Sequence, residues 1–328
     1  MFDNCSNDLK TEEKLKVASL LNKFEDVFSK HEFDIGLTNL IEHSIDTGDA
    51  KPIKLPPRRV PIAFADHEKK VLKELEENKI IRKSNSPWSA AIVIVVRKDQ
   101  KLRTCIDYRG LNRLTTIDAY PIPRTSDCLD AVSGSIYFST CDLTAGYYQI
   151  PVKDSDTPKT AFATKYGLFE FTRLPFGTVN GSATCQRLME IVLNGLQWQT
   201  CLIYLDDVII FGRTFAEHIS RLSEVLQRIK ESGLKLKPTK CQFLQREVTF
   251  LGHIVSKDGV RPNPDNVEKL KLMPTPQNVT EVRQVLGLAS YYRRFVQNFS
   301  KIAKPLIELT KKMYHLTGQK VVKMLFKT

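Results

Sequence analysis

The sequence predicts an α+β fold, on three observations. Short apolar runs bounded by turn residues, such as 90–96 and 201–211, read as strands. Segments such as 215–232 carry apolar residues at the spacing of one helical face. The two kinds mix irregularly, without the strand–helix–strand units of a doubly wound parallel sheet. At 328 residues the chain can form two or three packed subdomains, and it shows no internal repeat or low-complexity tract.

The elements follow in order. Residues 1–50 hold one amphipathic helix, about 12–28, and little other pattern. Residues 51–65 (KPIKLPPRRVPIAFA) are dense in proline and basic side chains, which predicts an extended, exposed segment. A helix over 66–78 is capped by Asp66 and has Val71, Leu72 and Leu75 on its apolar side. Ser84 to Pro87 breaks the chain, and 90–96 pairs with 102–107 as strands. Strand 136–142 ends at an acid, Asp142. Residues 160–171 form a hairpin turning at Tyr166-Gly167, and 182–193 a helix. Two short strands then flank an acidic tip within 201–211. Helix 215–232 aligns Ile219, Leu222, Val225, Leu226 and Ile229 and stops at Gly233. Four prolines within 262–276 mark a boundary. Asn278 and Glu281 stand at cap and N3 spacing for a helix over 280–299.

Composition excludes several classes. With 42% hydrophobic and 26% charged residues, the chain is an ordinary globular sequence rather than a disordered one. The net charge of +12 favours a polyanionic partner. Seven widely spaced cysteines, with no C-x-x-C pair and no H-x-x-x-H, argue against a zinc site or disulfide framework and fit a reducing compartment. No apolar signal-peptide core is visible in residues 1–10. The longest apolar run, 90–96, is too short to cross a bilayer, so no membrane partner is expected.

The acidic tip is the most informative stretch. In Cys201-Leu-Ile-Tyr-Leu-Asp-Asp-Val-Ile-Ile-Phe211 two adjacent carboxylates sit between apolar strands. Neighbouring Asp side chains repel by about 1 kcal/mol even in a wet setting. A tip without Gly or Asn is also a poor turn. A bound divalent cation offsets both penalties, and carboxylate oxygens are what Mg²⁺ requires. A third carboxylate is needed for two ions. Asp142 is the best candidate, because it ends its own apolar strand. Two strands presenting acid at the same end would clamp two metals about 4 Å apart. Standing alone, a D-D dipeptide between strands is more often a solvated turn.

The pieces around these acids resemble a known family. Tyr204-Leu-Asp-Asp207 resembles the Y-x-D-D box of retroelement reverse transcriptases. The other motifs look like the polymerase of gypsy-type LTR retrotransposons, in matching order. They are Ser86-Pro-Trp-Ser89, Cys105-Ile-Asp-Tyr-Arg-Gly-Leu-Asn112, Tyr120-Pro-Ile-Pro-Arg124, Tyr137-Phe-Ser-Thr-Cys-Asp142 running on to Ile150, Leu174-Pro-Phe-Gly177, Phe250-Leu-Gly-His253, and Gly287-Leu-Ala-Ser-Tyr291 running on to Phe295. The likeness spans about residues 25–312.

The resemblance implies a right-hand polymerase of fingers, palm and thumb with an antiparallel palm sheet. It implies an N-terminal segment and linker over 1–50, fingers and palm over 51–260 and thumb over 261–312. By the same likeness the chain is an RNA-directed DNA polymerase that adds dNTPs to a primer on an RNA or DNA template. Two Mg²⁺ ions, or Mn²⁺, are held by Asp142, Asp206, Asp207 and the backbone carbonyl of Leu143. Arg103 contacts the incoming triphosphate, with either Arg97 or Lys98 as a second cation. Tyr147 is the aromatic gate that rejects a ribose 2′-hydroxyl by clash, and Phe176 lies under the nucleotide sugar. Tyr204, the primer grip Leu251-Gly252-His253, and Gly287 with Tyr291 in the thumb contact primer and template. Tyr292 and Phe295 are core residues. An intracellular, cytoplasmic location is implied by the family alone, and oligomeric state is left open.

The sequence departs from the family at two places. Where the family reads L-P-F-G-L-x-N-A-P-A-T-F-Q, this chain has Gly181, Ser182 and Cys185 in place of alanine, proline and a large aromatic. Loss of that ring predicts a cavity costing about 2–4 kcal/mol unless neighbours fill it. From residue 313 the likeness stops, leaving a divergent tail over 313–328 with no ribonuclease H core. This predicts a fragment or a copy whose reading frame has shifted. The competing functional reading is a catalytically decayed, nucleic-acid-binding remnant.

Overall fold

In the computed structural model, residues 4–6, 8–96 and 100–311 are described. They fall into two compact units, Met1–Ala131 with Ser135–Arg246, and Glu247–Thr328 with Val132–Gly134. The first unit begins with α1 (Thr11–Lys23), α2 (Ala65–Glu77), β1 (Ile81–Lys83), β2 (Ala90–Val96), β3 (Leu102–Asp107), α3 (Arg109–Leu114) and α4 (Thr125–Ala131). It continues with β4 (Tyr137–Asp142), β5 (Phe162–Thr164), β6 (Gly167–Phe171), α5 (Gly181–Val192), β7 (Cys201–Tyr204), β8 (Asp207–Gly212), α6 (Phe215–Glu231) and β9 (Gln242–Gln245).

α1 stops at Lys23 and gives way to a 3-10 turn over Glu25–Val27, so the helix is shorter than its periodicity suggests. Phe24, Val27 and Phe28 remain buried all the same. With Leu9, Val17 and Leu21 they join one core with α5, α6 and the strands β4, β7, β8 and β9. The N-terminal segment, expected as a linker, is thus part of the main core. Asp66 does not cap α2. A 3-10 turn over Ile62–Phe64 leads into the helix, and Asp66 lies in its first turn.

Two sheets divide the first unit. The five-stranded sheet has the order β1-β6-β5-β2-β3, antiparallel except where β2 runs parallel to β5. Its core packs Leu72 and Leu75 of α2 on Ile92, Phe162, Phe169 and Phe171. The β5–β6 hairpin turns at Lys165-Tyr166, one residue before the expected position, since Thr164 faces Gly167. The four-stranded sheet, β7-β8-β4-β9, is antiparallel throughout. α6 covers it with fully buried Leu222, Val225, Leu226 and Ile229, each worth about 1.5–3 kcal/mol. The capping box Thr214–Glu217 starts this helix, and Gly233 at φ +71° follows its end.

The β4–β8 register runs unbroken from Tyr137 opposite Gly212 to Asp142 opposite Asp207. The β4–β9 register shifts between Phe138 and Thr140. There the Ser139 hydroxyl accepts the Leu244 N–H at 3.0 Å and bonds His218 Nε2 at 2.7 Å, which satisfies polar groups the bulge would leave buried.

The second unit holds a β10 (Glu247–Phe250), β11 (His253–Ser256), β12 (Gly259–Pro262) meander, followed by α7 (Pro264–Lys271), α8 (Val279–Tyr291) and α9 (Phe299–Lys311). The proline-rich boundary contains α7, with Asn263 as cap and Pro264 at its first turn. Asn278 caps α8 as expected, accepting the Glu281 N–H at 2.9 Å. The helix expected over 280–299 is two, parted by a 3-10 turn over Arg293–Phe295 and by Asn298 at φ +57°. Residues 97–99 and 312–328, which include Arg97, Lys98 and the divergent tail, lie outside the described residues.

Candidate active site

Asp142 and Asp207 face each other as direct partners at the ends of β4 and β8. Opposed antiparallel residues have Cα atoms about 4.5–5.5 Å apart. Asp206 occupies the two-residue tip between β7 and β8, and Tyr204 is the cross-strand partner of Asp207. Asp142, distant in sequence, therefore joins the adjacent Asp206 and Asp207 at one end of the sheet. Leu143 follows Asp142 with its side chain buried, in a bridge to Leu236.

The tip adopts the strained turn that its composition foretold. Leu205 sits at φ +58°, a region that costs a non-glycine residue about 1–3 kcal/mol. The compensation comes from α5. Gln186 is fully buried, and its Oε1 accepts the Leu205 N–H at 2.7 Å. Its Nε2 donates to Glu190 Oε1 at 2.7 Å. Glu190 in turn accepts from the Tyr120 hydroxyl, on which the Arg187 guanidinium lies 4.5 Å from the ring centroid. This chain of contacts links the Tyr120-Pro-Ile-Pro segment to the acidic tip.

Lys240 completes the charge pattern. Its Nζ donates to Asp142 Oδ2 at 2.8 Å. Desolvation pulls this ammonium down, but the hydrogen bond to Asp142 and the charges of Asp206 and Asp207 hold it above its ordinary value. Asp207 is pushed up to about 6 by desolvation and by the negative charges of Asp206 and Asp142, with Lys240 opposing. Among the described residues no three His, Cys, Asp or Glu side chains already form a cage around a single ion position, and Asp142 is turned toward Lys240. The donor set nonetheless fits a hard divalent cation: three carboxylates at one strand end, with an ammonium standing in as their counter-charge.

The described nucleotide-contact candidates, Arg103, Tyr147 and Phe176, line the region beside the tip. Tyr147, in a 3-10 turn over Gly146–Gln149, stacks on Phe176 at 4.9 Å and 11°, and its hydroxyl bonds Ser182 Oγ at 2.9 Å. Arg103, on the exposed face of β3, and Phe176 line one cavity of about 390 Å³ together with Tyr148, Cys105, Ile106 and Gly177. Asn112 fixes the Phe176 loop. Its amide donates to Gly177 O at 2.8 Å and accepts the Val179 N–H at 2.9 Å. Cys185 is fully buried in the main core, its thiol pushed up to about 12 by burial and by the charge of Asp206.

The remaining predicted residues belong to the second unit. Leu251 (φ +46°) and Gly252 (φ +69°) form the turn between β10 and β11. The Tyr291 hydroxyl donates to Leu251 O at 2.6 Å, and His253 Nδ1 lies 2.7 Å from the same oxygen. His253 is buried among Tyr291, Tyr292 and Phe295. Tyr292 is buried, as expected of a core residue, whereas Phe295 is only half-buried, against His253. Gly287 lies on the exposed face of α8 with no atom near the place of a Cβ, and Tyr291 is exposed one turn on.

Sequence reasoning missed Gln186 and Lys240. Gln186 was visible only as the last letter of a motif, and Lys240 is one of three lysines within 235–240. Nothing local marks Gln186 as bracing the acidic tip or Lys240 as pairing with Asp142.

The profile of the family described as "Reverse transcriptase (RNA-dependent DNA polymerase)" matches residues 95–255. The Pol polyprotein of transposon 297 from Drosophila melanogaster is 39% identical over 321 residues, covering 95% of this chain. That of transposon gypsy, from the same fly, is 33% identical and covers 89% of this chain. The chain spans 30% of the length of each of these relatives. Among solved structures, a foamy viral protease-reverse transcriptase in complex with double-stranded DNA superposes with a TM-score of 0.90 at 25% identity, over 99% of this chain and 57% of that one. The foamy viral protein in complex with an RNA/DNA hybrid gives 0.86 at 25% identity, over 99% of this chain and 44% of that one.

Proposed function

Because the chain belongs to the reverse transcriptase family and has its right-hand polymerase fold, we propose that it adds deoxynucleotides to a primer 3′ end on an RNA or DNA template. The observation that supports this most directly is Asp142 opposite Asp207, beside Asp206, with a lysine ammonium as their counter-charge. In this reading the four-stranded sheet is the palm, the five-stranded sheet belongs to the fingers, and the second unit is the thumb with its primer grip.

The chain's own residues divide the work. Asp142, Asp206 and Asp207, with the Leu143 carbonyl, hold the metals. Two Mg²⁺ ions bound there, or Mn²⁺ in their place, would supply activation of the primer hydroxyl and charge neutralisation of the leaving pyrophosphate. Arg103 grips the triphosphate through its guanidinium fork. Tyr147, braced on Phe176, excludes a 2′-hydroxyl. The Leu251-Gly252-His253 turn and the Gly287–Tyr291 face of α8 hold primer and template. The net charge of +12 and the nucleic acids bound by the foamy viral proteins support this partner class.

The direct test is primer extension on poly(rA)/oligo(dT) with Mg²⁺ or Mn²⁺. Extension is expected. Template binding without extension would select the decayed remnant instead.

The raised Asp207 value gives a pH prediction. Its folded-state carboxyl binds a proton more tightly than an ordinary one at 3.8. The metal-free protein therefore has this group's stability contribution in full below about pH 4 and loses it as pH rises through about 6. Metal takes the ionised form, so the sign reverses on binding. Mn²⁺ affinity, measured by calorimetry on the protein alone, is expected to rise from pH 5 through 6 and to level off about one unit higher. Affinity independent of pH over that range would remove Asp207 from the ligand set.

A further inference from the structure

The gate tyrosine has an unusual seat. Its ring stacks on Phe176, and its hydroxyl end is tied to Ser182 Oγ at 2.9 Å. Behind the ring lies Gly181, the first residue of α5. A Cβ at this position would stand 3.1 Å from Tyr147 Cε2, 3.6 Å from its Cδ2 and 3.1 Å from Thr178 Oγ1. Gly181 is not among the glycines at positive φ, so its backbone does not require glycine. What it provides is space. Ser182 is not the helix cap: it is the second residue of α5, and Asn180 at the cap position bonds Asp118 N–H and Thr116 O through its side-chain amide instead.

These two positions are where the chain departs from the alanine-proline pair usual in the family it resembles. Alanine would press on the ring at a distance tighter than ordinary contact, and proline would remove the hydroxyl tether. We infer that Gly181 and Ser182 are specificity-determining residues: together they set where the Tyr147 ring stands and so tune the discrimination between deoxyribo- and ribonucleotides. This rests on the gate reading of Tyr147. The pair acts through the ring rather than by touching the nucleotide, so its effects vanish when the ring is removed.

The test reads nucleotide binding without turnover. A dideoxy-terminated primer on its template, with Mg²⁺, is titrated with dATP or ATP opposite thymine or uracil, and stable ternary complex is scored by gel mobility. The ratio of the two affinities is the readout. Tyr147→Ala is expected to lower the ratio most. Ser182→Ala and Tyr147→Phe each remove the same hydrogen bond, and each is expected to lower it about five-fold, the worth of one neutral hydrogen bond. Their double variant should match either single one, and Ser182→Thr, which keeps the hydroxyl, should stay near the wild-type ratio. Gly181→Ala is expected to weaken dATP binding in the parent and to have no effect in a Tyr147→Ala background.

If Tyr147→Ala leaves the ratio unchanged, or the parent forms no ternary complex, the gate reading fails and takes this inference with it. If Tyr147→Ala relaxes the ratio but Ser182→Ala does not, the gate stands and the inference is overturned. An effect of Ser182→Ala or Gly181→Ala that persists without the ring overturns it as well.

Discussion

Replacing Asp206 with asparagine is expected to cut primer extension by at least about 10³-fold while leaving the protein folded. The position is a hairpin tip, half-exposed, so little packing is disturbed. What is lost is one of three negative charges at a single strand end. A neutral amide keeps one oxygen donor but cannot match a carboxylate as a ligand for a hard cation. Removing a neighbour's charge also eases ionisation of Asp207, whose proton is held partly by Asp206. The variant is therefore expected to melt no lower than the parent without metal, and to gain less stability when Mn²⁺ is added. Steady-state extension and thermal melts with and without Mn²⁺ check both halves. Extension within ten-fold of the parent would place the chemistry elsewhere.

Gln186→Leu is expected to be nearly as damaging, although Gln186 touches none of the acids. Leucine of similar volume fills the site but strands the Leu205 N–H and one Glu190 oxygen, each at a cost of about 1–3 kcal/mol. The left-handed conformation of Leu205 then has nothing to hold it. A tip that relaxes by about 1 Å misplaces Asp206 and Asp207, which translates to about 10²-fold in rate. The signature is a fall in kcat larger than any change in primer-template Kd, because the 251–253 turn and the exposed face of α8 are untouched. Unaltered kcat would mean the hairpin holds its own shape.

How much of this was legible in the sequence follows the range of the forces involved. Strands β2 and β3 match their expected bounds, because an unbroken apolar run between turn residues is a local signal. The acidic tip stood out locally as two repelling carboxylates in a poor turn, but reading it as a metal site needed Asp142 and the surrounding motifs as well. Asn278 and Glu281 were readable as a cap for the same local reason. By contrast, the split between α8 and α9 hangs on a 3-10 turn and one left-handed asparagine, against an apolar period that runs straight through. Lys240 meets Asp142 across 98 positions of sequence, and only the packing of β9 beside β4 brings them together. Gly181 and Ser182 looked like erosion of a motif. Their contacts with Tyr147 make them a matched pair, a relation no one-dimensional pattern displays.

Leu9, Val17, Leu21, Phe24, Val27 and Phe28 sit in one core with the strands that carry the acids. Asn4 adds further ties, its side chain donating to Pro238 O and Cys241 O at 2.9 Å, beside Lys240. A protease that trims the chain anywhere between these positions would not shed a dispensable leader. It would open the hydrophobic interior behind the four-stranded sheet and loosen the loop that bears Lys240.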